Sequence, residues 1–335
     1  MRALLVHNPA AGGGRSAGML PAVLERLRSA RVEVEVHRTV SLEDARAAAR
    51  QAASSVDAVV AMGGDGTVGA CAAGLAGAGL AAAAAGAAGA ATGSEDVLAA
   101  AAPGLEGARV AALGVIPAGG GNDAARNLGL PFGDPLAAAA MLPSLGARRA
   151  DLLRAGERYV LNAAGAGFDA EVSRRANQLL SRAPARLRYV SAVLAELVVG
   201  RPLRLRLCLD GRALQTSAWL VAVANSQSYG GGMRIAPAAR LDDGLLDVVV
   251  IGGELSKLGF LATFPKVFSG RHVEHPAVHV HRAVRVELEA ERPVAVHVDG
   301  EPAGTLPASF QVAPAAIAVL AAGDAPAFSP APSAP

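Results

Sequence analysis

From Ala3 onward the chain alternates short apolar runs with amphipathic segments. ALLVHNP reads as a strand, and MLPAVLERLRSA, with apolar residues at helical spacing, as a helix. VEVEVHRT alternates apolar and polar positions and reads as a second strand. SLEDARAAARQAA follows as a helix opened by Ser41 as N-cap. DAVVAMG is apolar from Ala58 to Met62 and reads as a fully buried strand, and VAALGVIPAGGGND supplies a fourth that runs into glycines. Strands alternating with helices predict a parallel sheet that binds ligands at the strand C-termini.

Near residue 149 the pattern changes to hairpins. RADLLRAGERYVLNAA reads strand, turn, strand, and LRLRLCLDGRALQTSAWLVAVAN does the same across Asp210-Gly211. LLDVVVIGG, AVHVHRAVRVELEA and PVAVHVDGEPA add further strands. Helices are expected at RLRYVSAVLAELVVG and at ELSKLGFLATFPKVF. The expectation is an N-terminal α/β domain with a parallel sheet, followed by an antiparallel, sandwich-like β domain.

Composition narrows the chemistry. At 335 residues there is room for two domains, each with a core. A net charge of +2 and 3% aromatic residues give neither the field nor the stacking surfaces of a nucleic-acid binder. Lys257 and Lys266 are the only lysines, which argues against a phosphate-gripping lysine near the N-terminus. Cys71 and Cys208 stand in no metal-ligand spacing and fit a reducing, cytoplasmic setting. Residues 72–93 match a membrane span in length but are nearly all alanine and glycine, with only Leu75 and Leu80 truly apolar. They read as a low-complexity insertion, so no transmembrane segment is expected. The tail GDAPAFSPAPSAP reads as disordered.

Three glycine turns follow strands in the first half: Asn8-Pro9-Ala10-Ala11-Gly12, Gly63-Gly64-Asp65-Gly66-Thr67, and Pro117-Ala118-Gly119-Gly120-Gly121-Asn122-Asp123. Glycine lets backbone N–H groups approach an anion, and a following helix N-terminus adds partial positive charge. Three such turns at one sheet edge can converge on a polyphosphate. Any one of them alone is equally well a tight strand-to-helix connection.

In this order the turns resemble the diacylglycerol kinase catalytic-domain family of lipid kinases, especially its bacterial branch. Further matches are Asn162 to Ala170 (NAAGAGFDA), Tyr229 to Met233 (YGGGM), Pro237 to Asp247 (PAARLDDGLLD) and Val298 to Glu301 (VDGE). The resemblance implies an ATP-dependent kinase that phosphorylates a lipid hydroxyl, with diacylglycerol the leading acceptor, acting peripherally at the membrane. A homodimer is compatible with it. It also implies domains of 1–128 with a returning strand at 308–322, a substrate domain at 129–307, and a tail at 323–335.

Carried over residue by residue, Asn8, Pro9, Ala10, Ala11, Gly12, Thr39, Gly64, Asp65, Gly66, Thr67, Val68, Gly69, Ala70 and Gly120 would line the nucleotide. Glu301 would accept the proton, with Asp65 and Asp299 as catalytic carboxylates in a cleft between the domains. Arg240, Asp243 and Leu245 would hold a structural Mg²⁺, the first and last through their carbonyls. The chemistry fits, because phosphoryl transfer needs positioning and charge neutralisation, and a hard cation takes oxygen ligands. Asp242, Asp243 and Asp247 crowd a short stretch that a cation would relieve.

The family usually has threonine where Gly120 stands and asparagine-glutamate where Gly69-Ala70 stand. These departures keep open a nucleotide- or lipid-binding pseudokinase. An NAD-kinase-like enzyme shares the GGDG turn, but the DDGLLD and VDGE motifs speak against it. Gly165 to Ala170 also fits a dinucleotide fingerprint, outside any βαβ unit. His272, His275, His279 and His281 read as belonging to a surface or interdomain strand rather than as metal ligands, since Pro276 breaks any helix there and His279 and His281 alternate on a strand face.

Overall fold

The computed structural model describes residues 1–87, 110–167 and 200–330. Residues 186–199 of the expected helix, residues 168–170 and residues 88–93 of the alanine-rich stretch lie outside the described residues. The described chain forms two compact units, one from Met1–Leu152, Arg240–Gly244 and Ala313–Pro335, the other from Leu153–Ala239 and Leu245–Val312.

The first unit is α/β. Strands β1 (Arg2–His7), β2 (Glu33–Arg38), β3 (Ala58–Gly63) and β4 (Ala112–Pro117) are parallel in the order β2-β1-β3-β4. The end of β15 (Ala308–Ala321) adds a parallel strand beside β4, at Val319↔Leu113. All six residues of β3 and of β4 are buried, as strands covered on both faces by helices must be. On one face, Leu20, Val23 and Leu27 of α1 (Arg15–Ser29) and Ala139 of α5 (Pro135–Met141) meet Leu5, Val60, Met62 and Ile116. Helices α2 (Leu42–Ala52) and α3 (Asp65–Ala87) also pack against the strands. Ser41 caps α2 as expected, its Oγ accepting from Asp44 N–H at 3.0 Å.

Three sequence expectations need correction here. Helix α1 starts at Arg15, earlier than its apolar pattern. Gly12, Gly13 and Gly14 all take positive φ and turn the chain from β1 into the helix before the first apolar residue is reached. The alanine-rich stretch is not surface filler from its beginning: Ala72, Ala73, Leu75 and Ala76 are buried. Gly74 marks a close contact, because a Cβ there would collide with the Arg46 carbonyl and crowd Ala49 of α2. Gly74→Leu should therefore destabilise the fold by about 1–3 kcal/mol in denaturant unfolding. Ala82→Leu, on the exposed side, should leave it unchanged.

The tail is the third correction. Ala325, Ala327 and Phe328 are buried, Leu241 N–H donates to Ala327 O at 2.7 Å, and the Arg148 guanidinium lies 4.2 Å from the Phe328 ring centre. The Phe328 ring, together with the bonds from Leu241, Arg240 and Asp242, holds residues 323–330 in the first unit. The boundary between units likewise falls at Leu152 rather than at 128, because α5 packs on α1 and β4.

The second unit is antiparallel. Its ladder runs β14 (Glu301–Thr305), β13 (Ala295–Val298), β7 (Ala163–Gly167), β9 (Arg212–Ala224), β8 (Leu203–Leu209), β12 (Arg285–Ala290), then the start of β15. Strand β10 (Leu246–Gly252) pairs with both β9 and β11 (Val278–Ala283). Asp210 and Gly211 both take positive φ between β8 and β9, the two-residue hairpin turn that Asp-Gly favours. Strand alternation divides the interior between two cores. Val248 and Val250 join Leu205, Val286 and Phe310, whereas Val249 and Ile251 join Trp219, Met233 and Phe260. The expected helix at 254–268 is shorter, α6 (Lys257–Thr263), and continues as a 3₁₀ turn over Phe264–Ser269, where Pro265 removes a donor. Gly165 and Gly167 sit inside strand β7, which pairs antiparallel with β9 rather than forming a parallel βαβ strand.

Candidate active site

In the first unit the three glycine turns come together at the C-terminal ends of β1, β3 and β4. Asn8 makes a local turn, its Oδ1 accepting from Ala10 N–H at 3.0 Å, while its Nδ2 donates to Thr67 Oγ1 at 3.0 Å. That bond ties the first turn to the second. A Cβ on Gly12 would stand 2.6 Å from the Ala118 carbonyl, and one on Gly119 would stand 2.5 Å from Gly64 Cα. Glycine is required at both places by backbone proximity. Asp65 then opens α3, and its Oδ1 accepts from Ala124 N–H at 2.9 Å, tying the second turn to the third.

Asp123, at the start of helix α4 (Asp123–Asn127), is buried beside Asp65. Burial first, and the Asp123 charge second, push the Asp65 carboxyl up to about 6, against the opposing pull of the Ala124, Asp123 and Asn122 N–H groups. A pair of carboxylates held close at a phosphate-type turn is a place where a hard cation would be favoured. Sequence reasoning assigned no role to Asp123 or to Arg126. The Arg126 Nη1 lies 3.2 Å from Asp123 Oδ1 and also donates to the Gly121 carbonyl. Arg15, at the start of α1, donates to the Gly12 carbonyl at 2.9 Å. The basic groups at this edge are thus arginines, each held by a glycine turn.

The other nucleotide candidates divide. Val68 is buried in α3, whereas Pro9, Ala10, Gly66, Gly69 and Ala70 are partly or fully exposed at or near the turn edge. Thr39 is buried, with its hydroxyl donated to the Ser41 carbonyl at 2.5 Å and its N–H to the His7 carbonyl. Its side chain is committed to the β2–α2 connection. Gly120 is exposed, and a Cβ there meets nothing within 4 Å. Gly120→Thr, which restores the family's usual hydroxyl, should fold normally and tighten ATP binding roughly two- to tenfold, the worth of one net hydrogen bond of about 0.5–1.5 kcal/mol. Calorimetric titration checks it.

The segment Arg240–Gly244 is pinned within the first unit. Asp242 accepts from Ser329 N–H and Oγ, both at 2.9 Å, and pairs with Arg148 at 3.2 Å. Asp151 accepts from the N–H groups of Gly244 and Ala315, each at 2.7 Å. Its carboxyl is raised by burial, with the Asp243 and Asp242 charges adding to the rise. Asp247 lies instead in β10, buried, with Arg282 at 3.8 Å. The crowding expected around Asp243 thus involves Asp151 and Asp242 rather than Asp247. Among the described residues no three His, Cys, Asp or Glu side chains gather in metal-holding geometry. The implied set of Arg240, Asp243 and Leu245 needs only one side-chain carboxylate.

In the second unit, Asp299 takes positive φ in the β13–β14 turn. Its carboxylate accepts from three successive N–H groups: Leu161 at 3.3 Å, Asn162 at 3.2 Å and Ala163 at 3.1 Å. This role was not legible in VDGE, and it makes Asp299 a positioning residue for that turn. Glu301, two residues on, is exposed at the start of β14. The histidines go separate ways: His272 is buried against the Ile235 carbonyl, and His279 faces Glu254 at 3.5 Å.

A family profile described as a diacylglycerol kinase catalytic domain matches residues 2–155. A second, described as a YegS C-terminal NAD kinase beta sandwich-like domain, matches residues 162–321. The chain belongs to the diacylglycerol kinase catalytic-domain family, in its bacterial lipid kinase branch, and is a kinase. Over 321 residues it is 35% identical to a protein of Mycobacterium tuberculosis named diacylglycerol kinase, covering 93% of each chain. A Bacillus subtilis protein of the same name is 29% identical, with 92% of each covered. The solved structure of a diacylglycerol kinase from Bacillus anthracis shares the fold, with a TM-score of 0.67 at 22% identity over 97% of this chain and 98% of that one.

Proposed function

We propose that this kinase transfers the γ-phosphoryl group of ATP to the hydroxyl of a membrane lipid, with diacylglycerol the principal acceptor. The observation that carries the reading is the mutual contact of three glycine turns at one sheet edge, with the Asp65–Asp123 pair set among them. The turn edges at Gly12, Gly64–Gly66 and Gly120–Gly121 hold the polyphosphate, and Arg15 and Arg126 stand nearby to offset its charge. Asp65 and Asp123 are suited to hold the Mg²⁺ of Mg-ATP, and Asp243 with the Arg240 and Leu245 carbonyls to hold a structural one. Bound there, the ion supplies charge neutralisation for the transferred group. Glu301 accepts the proton of the attacking hydroxyl, and Asp299 holds the turn that presents it.

For the acceptor, the second unit offers a narrow apolar pocket lined by Tyr229, Met233, Ile251, Phe260, Phe264 and Val267. The lining is almost wholly apolar, with Thr263 and His272 its polar members, and suits an acyl chain better than a dinucleotide. Peripheral work at the membrane fits the described residues, in which no helix is long and apolar enough to cross one.

The test is an acceptor panel. With γ-labelled ATP and Mg²⁺, label is expected in diacylglycerol well above sphingoid bases and NAD⁺. Label in NAD⁺ alone overturns the acceptor, and nucleotide binding without any transfer points to the pseudokinase reading that Gly69, Ala70 and Gly120 keep open.

A further inference from the structure

We infer that His7 and Ser16 form a buried strut that positions the first glycine turn for the phosphates of ATP. The inference rests on the proposed ATP-dependent reaction for its purpose, but on separate observations for its location. His7 is the last residue of β1 and Ser16 the second of α1, so the two stand at either end of the loop that carries Asn8 to Gly12. Both are buried, at 1% and 0% exposure, and His7 Nε2 lies 3.1 Å from Ser16 Oγ. Among the described residues no other side-chain hydrogen bond joins β1 to α1.

The loop between them has little packing to fix its shape. Gly12, Gly13 and Gly14 take positive φ in succession, and a Cβ on Gly13 or Gly14 would meet nothing within 4 Å. Such a run is held by its bonds, and glycines lose the most conformational entropy when ordered. Gly14 also gives α1 no side-chain cap. A strut at the base sets the Gly12 backbone before nucleotide arrives. It sets Arg15 as well, which precedes Ser16 and donates its Nε–H to the Gly12 carbonyl at 2.9 Å.

The pair is a poor choice for stability alone. The second ring nitrogen of His7, Nδ1, is buried and finds no protein partner among the described residues. Burial also holds the ring below the ordinary imidazole pKa. A buried polar atom left unmatched weakens a fold, and leucine opposite alanine would fill this place without that cost. A polar pair that costs stability while bracing the loop of a ligand site has its use in binding.

The experiment compares the full chain with His7→Leu/Ser16→Ala, Ser16→Ala, His7→Gln and His7→Gln/Ser16→Ala. Each is followed by thermal unfolding without ligand and by calorimetric titration with Mg-ATP. The double variant His7→Leu/Ser16→Ala is expected to melt at or above wild type. It should nevertheless bind Mg-ATP about five- to twentyfold more weakly, because its loop must be ordered on binding. His7→Gln offers an amide N–H near the place of Nε2 and should keep wild-type affinity within about twofold. That rescue should vanish in His7→Gln/Ser16→Ala. In initial rates the loss should appear in the Mg-ATP KM, with kcat at saturating ATP and the lipid KM near wild type.

A purely structural pair gives the opposite pattern, a lower melting temperature with unchanged affinity, and that result overturns the strut. Should the leucine-alanine variant be unstable, the other variants decide. Wild-type affinity in Ser16→Ala overturns the strut, and a loss there that His7→Gln alone escapes supports it. If affinity falls as expected but no lipid is phosphorylated by any of the proteins, the strut stands and the acceptor reading falls. A wild type that binds no Mg-ATP removes both.

Discussion

Asp65→Asn should lower lipid phosphorylation by about 10²–10³-fold, the range for removing one preorganised electrostatic group, and at the same time make the ligand-free protein more stable above pH 6. The two effects have one cause. In the folded protein the Asp65 carboxyl is pushed up to about 6 by burial and by Asp123, from an ordinary value of 3.8. The folded state therefore holds this proton more tightly than the unfolded chain. Stability from this group is full below about pH 4 and is lost as pH rises through 6. Asparagine removes that loss and keeps an oxygen to accept from Ala124 N–H. Asp151 is also raised, so the wild-type slope alone is not diagnostic. The difference between variant and wild type is. Thermal unfolding from pH 4 to 8 should show the variant gaining on wild type across that window. Parallel curves would mean that Asp65 is not held in a strained, charged state.

Glu301→Gln should lower turnover by about 10²–10⁴-fold, as loss of a general base does, with partial recovery at higher pH where the acceptor hydroxyl ionises more. Asp65→Asn should show no such recovery. The contrast with Asp299 is equally specific. Its carboxylate satisfies three backbone N–H groups, so Asp299→Ala should appear first as a loss of stability. Glu301, exposed at its strand end, should be replaceable without cost to folding. Initial rates from pH 6 to 9, with circular dichroism on each variant, separate the three. A Glu301→Gln enzyme with wild-type rates would remove it from proton transfer.

The buried strands were legible because apolar runs between turn residues have one stable placement, on a sheet covered by helices. The Asp210-Gly211 hairpin was legible because few residues tolerate both positive φ values. What escaped the sequence depended on contacts between distant residues. Ala72 to Ala76 look like filler until α2 is seen to need small neighbours at Gly74. Phe328 looks like part of a disordered tail until Arg148 is placed over it. In the candidate site, the turns announce themselves through glycine. Asp123 and Arg126, by contrast, gain meaning only when the end of β4 brings them to Asp65, and Thr39 loses its free hydroxyl to Ser41.

Backbone amide exchange with and without Mg-ATP tests most directly whether the converged turns hold the phosphoryl donor. Protection is expected together in peptides covering Asn8–Gly12, Gly64–Ala70 and Gly119–Asp123, and it should weaken in Asp65→Asn. Protection confined to the second unit, or its absence from these turns while the enzyme still binds ATP, would contradict the account.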